Sequence, residues 1–197
     1  MSSTIARGDK RRTALLEALD KHLREGPLDS INIADISRSA GVTRSAFYFY
    51  FDSKASAVAA LMEEMYEEAA AAAALFAGDG APQERVEAMI RAMFDSWSAH
   101  EHLYRAMFDA RATSQTVRQL WDNDRDSFVP VLADIIESER ASGAAPAGVD
   151  ATHLASVLLE LNDRMLERLA LGGPLEHEDL LASVVAIWVN TIYGRVN

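Results

Sequence analysis

The chain has 197 residues, 49% of them hydrophobic and none of them cysteine, with a formal net charge of -11. That length suits one or two small domains, and the missing cysteines exclude disulfides, thiolate metal sites and cysteine nucleophiles. No stretch of about 18 residues is free of charge and the polar start MSSTIARGDKRR lacks the apolar centre of a signal peptide, so a cytoplasmic protein with no membrane partner is expected.

The charge is unevenly spread. Residues 1–54 carry nine Lys/Arg against seven Asp/Glu, a net of +2, while the rest carries ten against twenty-three, a net of -13. A mildly basic head on an acidic body can still set its positive face against phosphates.

In chain order, Met1 to Asp9 is polar and expected to be mobile. Its Arg7, with Lys10, Arg11 and Arg12 behind, is placed either to reach a phosphate or minor groove or simply to be solvated. Lys10 to Glu25 reads as an amphipathic helix, with Leu15, Leu16, Leu19 and Leu23 at helical spacing and Gly26-Pro27 as its stop. A short helix follows from Ile33 to Ala40, with Asn32 placed to cap it. Gly41 ends that helix, because the position past a helix end often needs a positive φ. Thr43 then caps a helix of about two turns, Arg44 to Tyr50.

Two helices joined by so short a glycine-containing turn make a helix-turn-helix, whose second helix enters a major groove. Ile36, Ala40, Val42 and Phe47 fall where the two helices touch. In the second helix, Thr43 can offer a hydroxyl to phosphate, and Arg44 has the planar fork for guanine O6 and N7. Ser45 and Ala46 are small enough to let the backbone near base edges, and Ala46 can meet a thymine methyl. Tyr48 and Tyr50 can donate to phosphate, and Lys54 adds a point charge there. Phe47, with at least one of Phe49 and Phe51, is assigned to the core.

Ser53 to Phe76 is a long helix capped by Ser53, and GDGAP at residues 78–82 breaks the chain. Pro82 to Ala99 is amphipathic, and a shorter segment runs from His100 to Ala110. The next helix starts at Thr113 or Ser114 and reaches Arg140, with Pro130 inside it as a kink. After the loop ASGAAPAG come Asp150 to Ala170 and Pro174 to Gly194. Both are apolar on more than one side, which suggests a partner subunit as well as a core.

The segment GVTRSAFYFYFDSK resembles the end of the DNA-binding domain of TetR-type transcriptional regulators, and the likeness continues upstream into RRTALLEALDKHLREGPLDSINIADI. In the body, ARATSQTVRQLW, ESERASGAAP, LELNDRM and IWVNTIYG are similar to the EthR-type branch of that family. The resemblance implies an all-α fold of about nine helices, with a three-helix DNA-binding head at 1–54 and a ligand-binding and dimerisation domain at 55–197. It also implies a homodimer through the last two helices, bound to double-stranded operator DNA and released by a small lipophilic effector, most simply as a repressor. The ligand would be lined by Val86, Ile90, Met93, Trp97, Trp121, Phe128, Leu132, Leu166 and Trp188, with Asn162 as a polar contact. Leu159, Arg125 and Glu167 depart from that branch, so a different ligand is expected: apolar, with one or two hydrogen-bond acceptors.

Other classes have less behind them. His100 and His102 share a helix but point to different faces, and His153 and His177 lie far apart in sequence, so no metal site is expected. No nucleophile elbow, phosphate loop or dinucleotide motif appears, so neither catalytic residues nor a cofactor are expected. The alternative is a lipophilic carrier without a DNA role, for which the cluster Arg44, Tyr48, Tyr50 and Lys54 would have no use.

Overall fold

The computed structural model describes residues 2–63 and 65–194, with side chains from residue 10 onward. The described residues form helices α1 (Ser2–Glu25), α2 (Ile33–Ser39), α3 (Arg44–Tyr50), α4 (Lys54–Met62), α5 (Met65–Phe76) and α6 (Pro82–Ala99). They continue with α7 (Glu101–Thr113), α8 (Gln115–Ser127), α9 (Val129–Ala141), α10 (Ala151–Ala170) and α11 (His177–Tyr193). A single 3-10 turn, Leu28–Ser30, follows α1. The all-α expectation holds, and two of the expected long helices are each delimited as two segments.

Pro130 accounts for one division. It cannot donate a backbone hydrogen bond and its ring clashes with the preceding turn, so it is tolerated only in a first helical turn. The chain complies by ending α8 at Ser127 and opening α9 at Val129. Other boundaries also move. α1 begins at Ser2 rather than Lys10, so the backbone of the leader joins the helix; the reach expected of Arg7 falls on a side chain outside the described residues. α11 begins at His177 instead of Pro174.

The fold divides into two compact units: residues 1–65 with 100–121, and residues 66–99 with 122–197. In the first, α1 packs on α2, α4 and α7, and α4 also packs on α7. Leu15, Leu19, Ile36, Phe47 and Val58 are at most 1% exposed, and they form the centre against which the helix-turn-helix is seated. The periodicity of the α1 leucines is thus spent on that core. His102 of α7 meets Asp20 of α1 at 2.7 Å, and Arg24 also bonds Asp20. Burial alone would raise the Asp20 carboxyl, but the hydrogen bonds from His102 and Arg24 hold it below its ordinary range.

In the second unit α9 packs on α10, and α11 on α6 and α10. Trp188, Phe76, Phe94, Ile90, Ile136, Leu158 and Ile192 are buried at its centre. An ionic group joins them, in which Arg85 is buried and Glu139 half-buried. Arg85 donates to both carboxylate oxygens of Glu139 at 2.9 and 2.8 Å, and to the Phe76 carbonyl at 3.1 Å. Tyr193 stands 3.4 Å from the same guanidinium. The Arg85 hydrogen bonds pull the Glu139 carboxyl down, and burial pushes the Tyr193 phenol up to about 12. This group ties α6, α9 and α11 by geometry that only a planar bidentate fork supplies.

Candidate nucleic-acid interface and ligand site

The turn between α2 and α3 closes by a double bond pattern. The Val42 N–H donates to the Ser37 carbonyl at 2.9 Å and the Gly41 N–H to the Arg38 carbonyl at 3.1 Å, with Gly41 at φ 67°. This is the Schellman closure, in which the residue past the helix end must be left-handed. A Cβ built on Gly41 would meet nothing within 4 Å, so the requirement there is conformational and not spatial.

Thr43 then caps α3, its hydroxyl oxygen accepting the Ala46 N–H at 3.2 Å. Asn32 occupies the equivalent place before α2, but its side chain makes no cap bond, so that part of the expectation fails and α2 starts on backbone hydrogen bonds. Ser53 caps α4 as expected, in a reciprocal box: the Ser56 N–H donates to Ser53 Oγ, and the Ser53 N–H to Ser56 Oγ.

Within α3, Phe47 is fully buried and Phe51, just past its end, is 5% exposed, while Phe49 is 80% exposed. Arg44 and Ser45 are exposed, Tyr48 is largely so, and Ala46 and Tyr50 are half-buried. The Arg44 guanidinium lies 5.7 Å from the centre of the Tyr48 ring and its Nη2 is 3.3 Å from the Tyr48 hydroxyl. Thr43, Arg44, Ser45, Ala46, Tyr48 and Tyr50 therefore stand on one short, well-seated element.

Lys54 is placed differently from its expected role. Its ammonium donates to the carbonyls of Leu28 and Ile31 at 2.6 and 2.8 Å, which fastens the 3-10 turn to the start of α4. Two of its three donors are thus spent on backbone. Arg12 also stays with the head, 5.6 Å from the Phe51 ring centre and 3.4 Å from Glu63.

Of the ten residues expected to face a ligand, nine lie in the second unit: Val86, Ile90, Met93 and Trp97 on α6, Phe128 and Leu132 at the start of α9, Asn162 and Leu166 on α10, and Trp188 on α11. Met93 and Phe128 are half-buried, and the other seven are buried. Asn162, 4% exposed, accepts the Trp188 indole N–H through Oδ1 at 3.0 Å. One lone pair of its carbonyl is therefore taken, leaving the other and the amide N–H groups. The Trp97 indole nitrogen is buried without a hydrogen-bond partner. Trp121 belongs to the other unit, where it packs on Tyr104 and Phe108 under the Arg111 guanidinium.

Arg125, one of the departures from the related branch, is not an isolated charge. Asp122, Asp126, Glu160 and Asp163 all lie within 3.1–3.3 Å of its guanidinium. Glu167 likewise pairs with Arg164 at 2.6 Å. Two partners at i+1 and one turn back were visible in the sequence; those from α10 were not.

The family model described as bacterial regulatory proteins of the tetR family matches residues 15–61, and the one described as the C-terminal domain of transcriptional regulator EthR matches residues 86–194. The HTH-type transcriptional regulator EthR of Mycobacterium tuberculosis is 33% identical over 193 residues, covering 95% of this chain and 89% of its own length. The chain belongs to the TetR family. It is similar to EthR of Mycolicibacterium smegmatis as well, at 30% identity over 96% of this chain and 89% of that protein. Solved structures share the fold at lower identity. FadR of Bacillus halodurans superimposes with a TM-score of 0.72 at 14% identity, covering 94% and 97% of the two chains. FadR of Bacillus subtilis, in complex with stearoyl-CoA, gives 0.70 at 17%, covering 93% and 98%. The protein is accordingly a DNA-binding helix-turn-helix transcriptional regulator and not an enzyme. Among the described residues, no helix is long and apolar enough to cross a membrane.

Proposed function

We propose that this regulator is a repressor that reads its operator with α3 and leaves it when a small, uncharged, acceptor-bearing lipophilic molecule occupies the second unit. The observation that carries the DNA half is α3 itself. A capped helix seated on Phe47 and Phe51 presents Arg44, Ser45 and Tyr48 outward, with Thr43 at its start and Ala46 and Tyr50 on its flank. Arg44 is assigned to base edges and the two tyrosine hydroxyls to phosphate. Lys54 acts by holding the Leu28–Ser30 turn. Its positive charge is undiminished by these neutral carbonyls, but one N–H donor is left to point toward DNA.

Two features support the ligand half. The Trp97 indole N–H, a buried donor without a partner, suits a molecule with acceptors, because an unpaired buried donor is costly, and the Asn162 amide is a second polar group among the expected lining residues. The four carboxylates around Arg125 leave that cluster net negative, which disfavours an acidic molecule such as the acyl-CoA bound by the Bacillus subtilis FadR. Dimerisation is assigned to α10 and α11, where Val157 and Ile187 are 65% and 44% exposed.

The test is a titration of the full chain against duplexes tiling the DNA upstream of its own gene, at several salt concentrations, with an unrelated duplex as control. Tight binding to one tile, reversed by an uncharged lipophilic compound found in a screen against that complex, is the expected result. Binding equal to control on every tile and on a genome-wide fragment pool would defeat the reading.

A further inference from the structure

The helix-turn-helix leaves one large apolar side chain on its outer side. Phe49 is the most exposed large hydrophobic residue among those described, at 80%. Its place on α3 is the informative part. An α-helix turns about 100° per residue, so with Phe47 facing the core, Ser45 and Phe49 lie at about 160° to either side of it. By the same turn Ala46 and Tyr48 lie at about 100°, and Arg44 and Tyr50 at about 60°. The middle of the outward face is therefore Ser45 with Phe49 one turn further on. The ring is not loose: its centre is 5.0 Å from that of Tyr50, edge to face at 87°.

A phenyl group has no donor or acceptor, so at that position it can read neither the polar pattern of a base edge nor a phosphate. The one apolar group that the major groove displays is the C5-methyl of thymine. We propose that Phe49 reads a thymine methyl, so that operator preference rests on an apolar contact at the centre of α3 beside the polar contacts of Arg44. Ala46, on the flank and half-buried, then has a lesser part in that contact. The inference rests on the reading of α3 as the helix that enters the groove.

The test replaces thymine by deoxyuridine, which removes the methyl and nothing else. The probe is the tightest duplex selected from a random-sequence pool by the wild-type full chain, with each thymine replaced in turn. The proteins are wild type, Phe49→Ala and Phe49→Leu. So exposed a side chain should be replaceable without loss of fold, which a urea midpoint verifies. Wild type should lose about fourfold in affinity at one or two thymines per half-site, the equivalent of one buried methyl. Phe49→Ala should bind the thymine duplex more weakly and show no further loss at those same positions, while Phe49→Leu keeps part of the sensitivity. Deoxyuridine penalties that are the same with and without Phe49, or absent in wild type, would overturn the role of Phe49 alone. A wild type that selects no sequence from the pool would overturn the groove reading of α3 and this inference with it.

Discussion

Replacing Lys54 by methionine separates two accounts of one residue. The methionine keeps most of the aliphatic stem and deletes an ammonium that donates to Leu28 and Ile31 at 2.6 and 2.8 Å. A hydrogen bond from a charged group contributes about 1.5–3 kcal/mol net, so two would give at most about 3–6 kcal/mol. Two facts reduce that. Lys54 is only half-buried, and the Leu28 carbonyl keeps the Ile31 N–H at 3.2 Å. A loss of roughly 1.5–3 kcal/mol is expected, which in a chain of this size lowers Tm by about 3–12 °C. Urea and thermal unfolding at one fixed protomer concentration measure it, since an oligomer's stability depends on concentration. The companion measurement is DNA affinity against salt. A phosphate contact contributes about 0.9 to the slope of log K on log salt, and Lys54→Met should leave the slope within a fraction of that value. Unchanged stability together with a slope reduced by about 0.9 for each bound protomer would refute the structural account and restore Lys54 as a phosphate ligand.

Arg44→Ala should cost about 1–3 kcal/mol on the preferred operator and relax the preference at one base pair, which competition against single-base-pair variants would reveal. Arg85→Met leaves the half-buried Glu139 without its partner and should destabilise by at most about 3–5 kcal/mol, whereas Arg85→Met with Glu139→Leu should recover most of the loss in urea melts. Because the Arg85 hydrogen bonds hold the Glu139 carboxyl below its ordinary 4.5, that contribution is complete above pH 4.5 and is lost as pH falls through the lower folded value. The part of the stability gap between wild type and the double variant that Glu139 carries should therefore change on the acid side. Trp188→Phe should cost about 1–3 kcal/mol by stranding Asn162 Oδ1, and adding Asn162→Leu should return part of it in the same melts.

The fold was legible in the sequence where local chemistry decides it. The leucine spacing of α1, the Gly41 turn, and the Thr43 and Ser53 caps are properties of a few neighbouring residues, and each is found where its spacing put it. The candidate sites were less legible, because partners distant in sequence decide them. Nothing near Lys54 reveals that carbonyls 26 and 23 residues away accept its hydrogen bonds. Arg85 reads as one charge on an amphipathic helix, and its partner Glu139 is 54 residues on. The α10 carboxylates at Arg125 are hidden for the same reason. Phe49 is the opposite case. Its exposure follows from counting two residues on from Phe47, but an aromatic in a run of five invites assignment to the core. Asn32 shows that a favourable cap residue can sit at the cap position without using its side chain.

The Gly41 turn has a consequence for how such a head can change over generations. Since the open space beside Gly41 would admit a larger residue, the barrier to substitution is the backbone angle alone. Asparagine, which tolerates that angle better than other residues with a side chain, would leave the seating of α3 on its neighbours untouched. The turn is thus a point at which descendants of this gene can vary in sequence, acquiring a polar group beside α3, without first re-engineering the core.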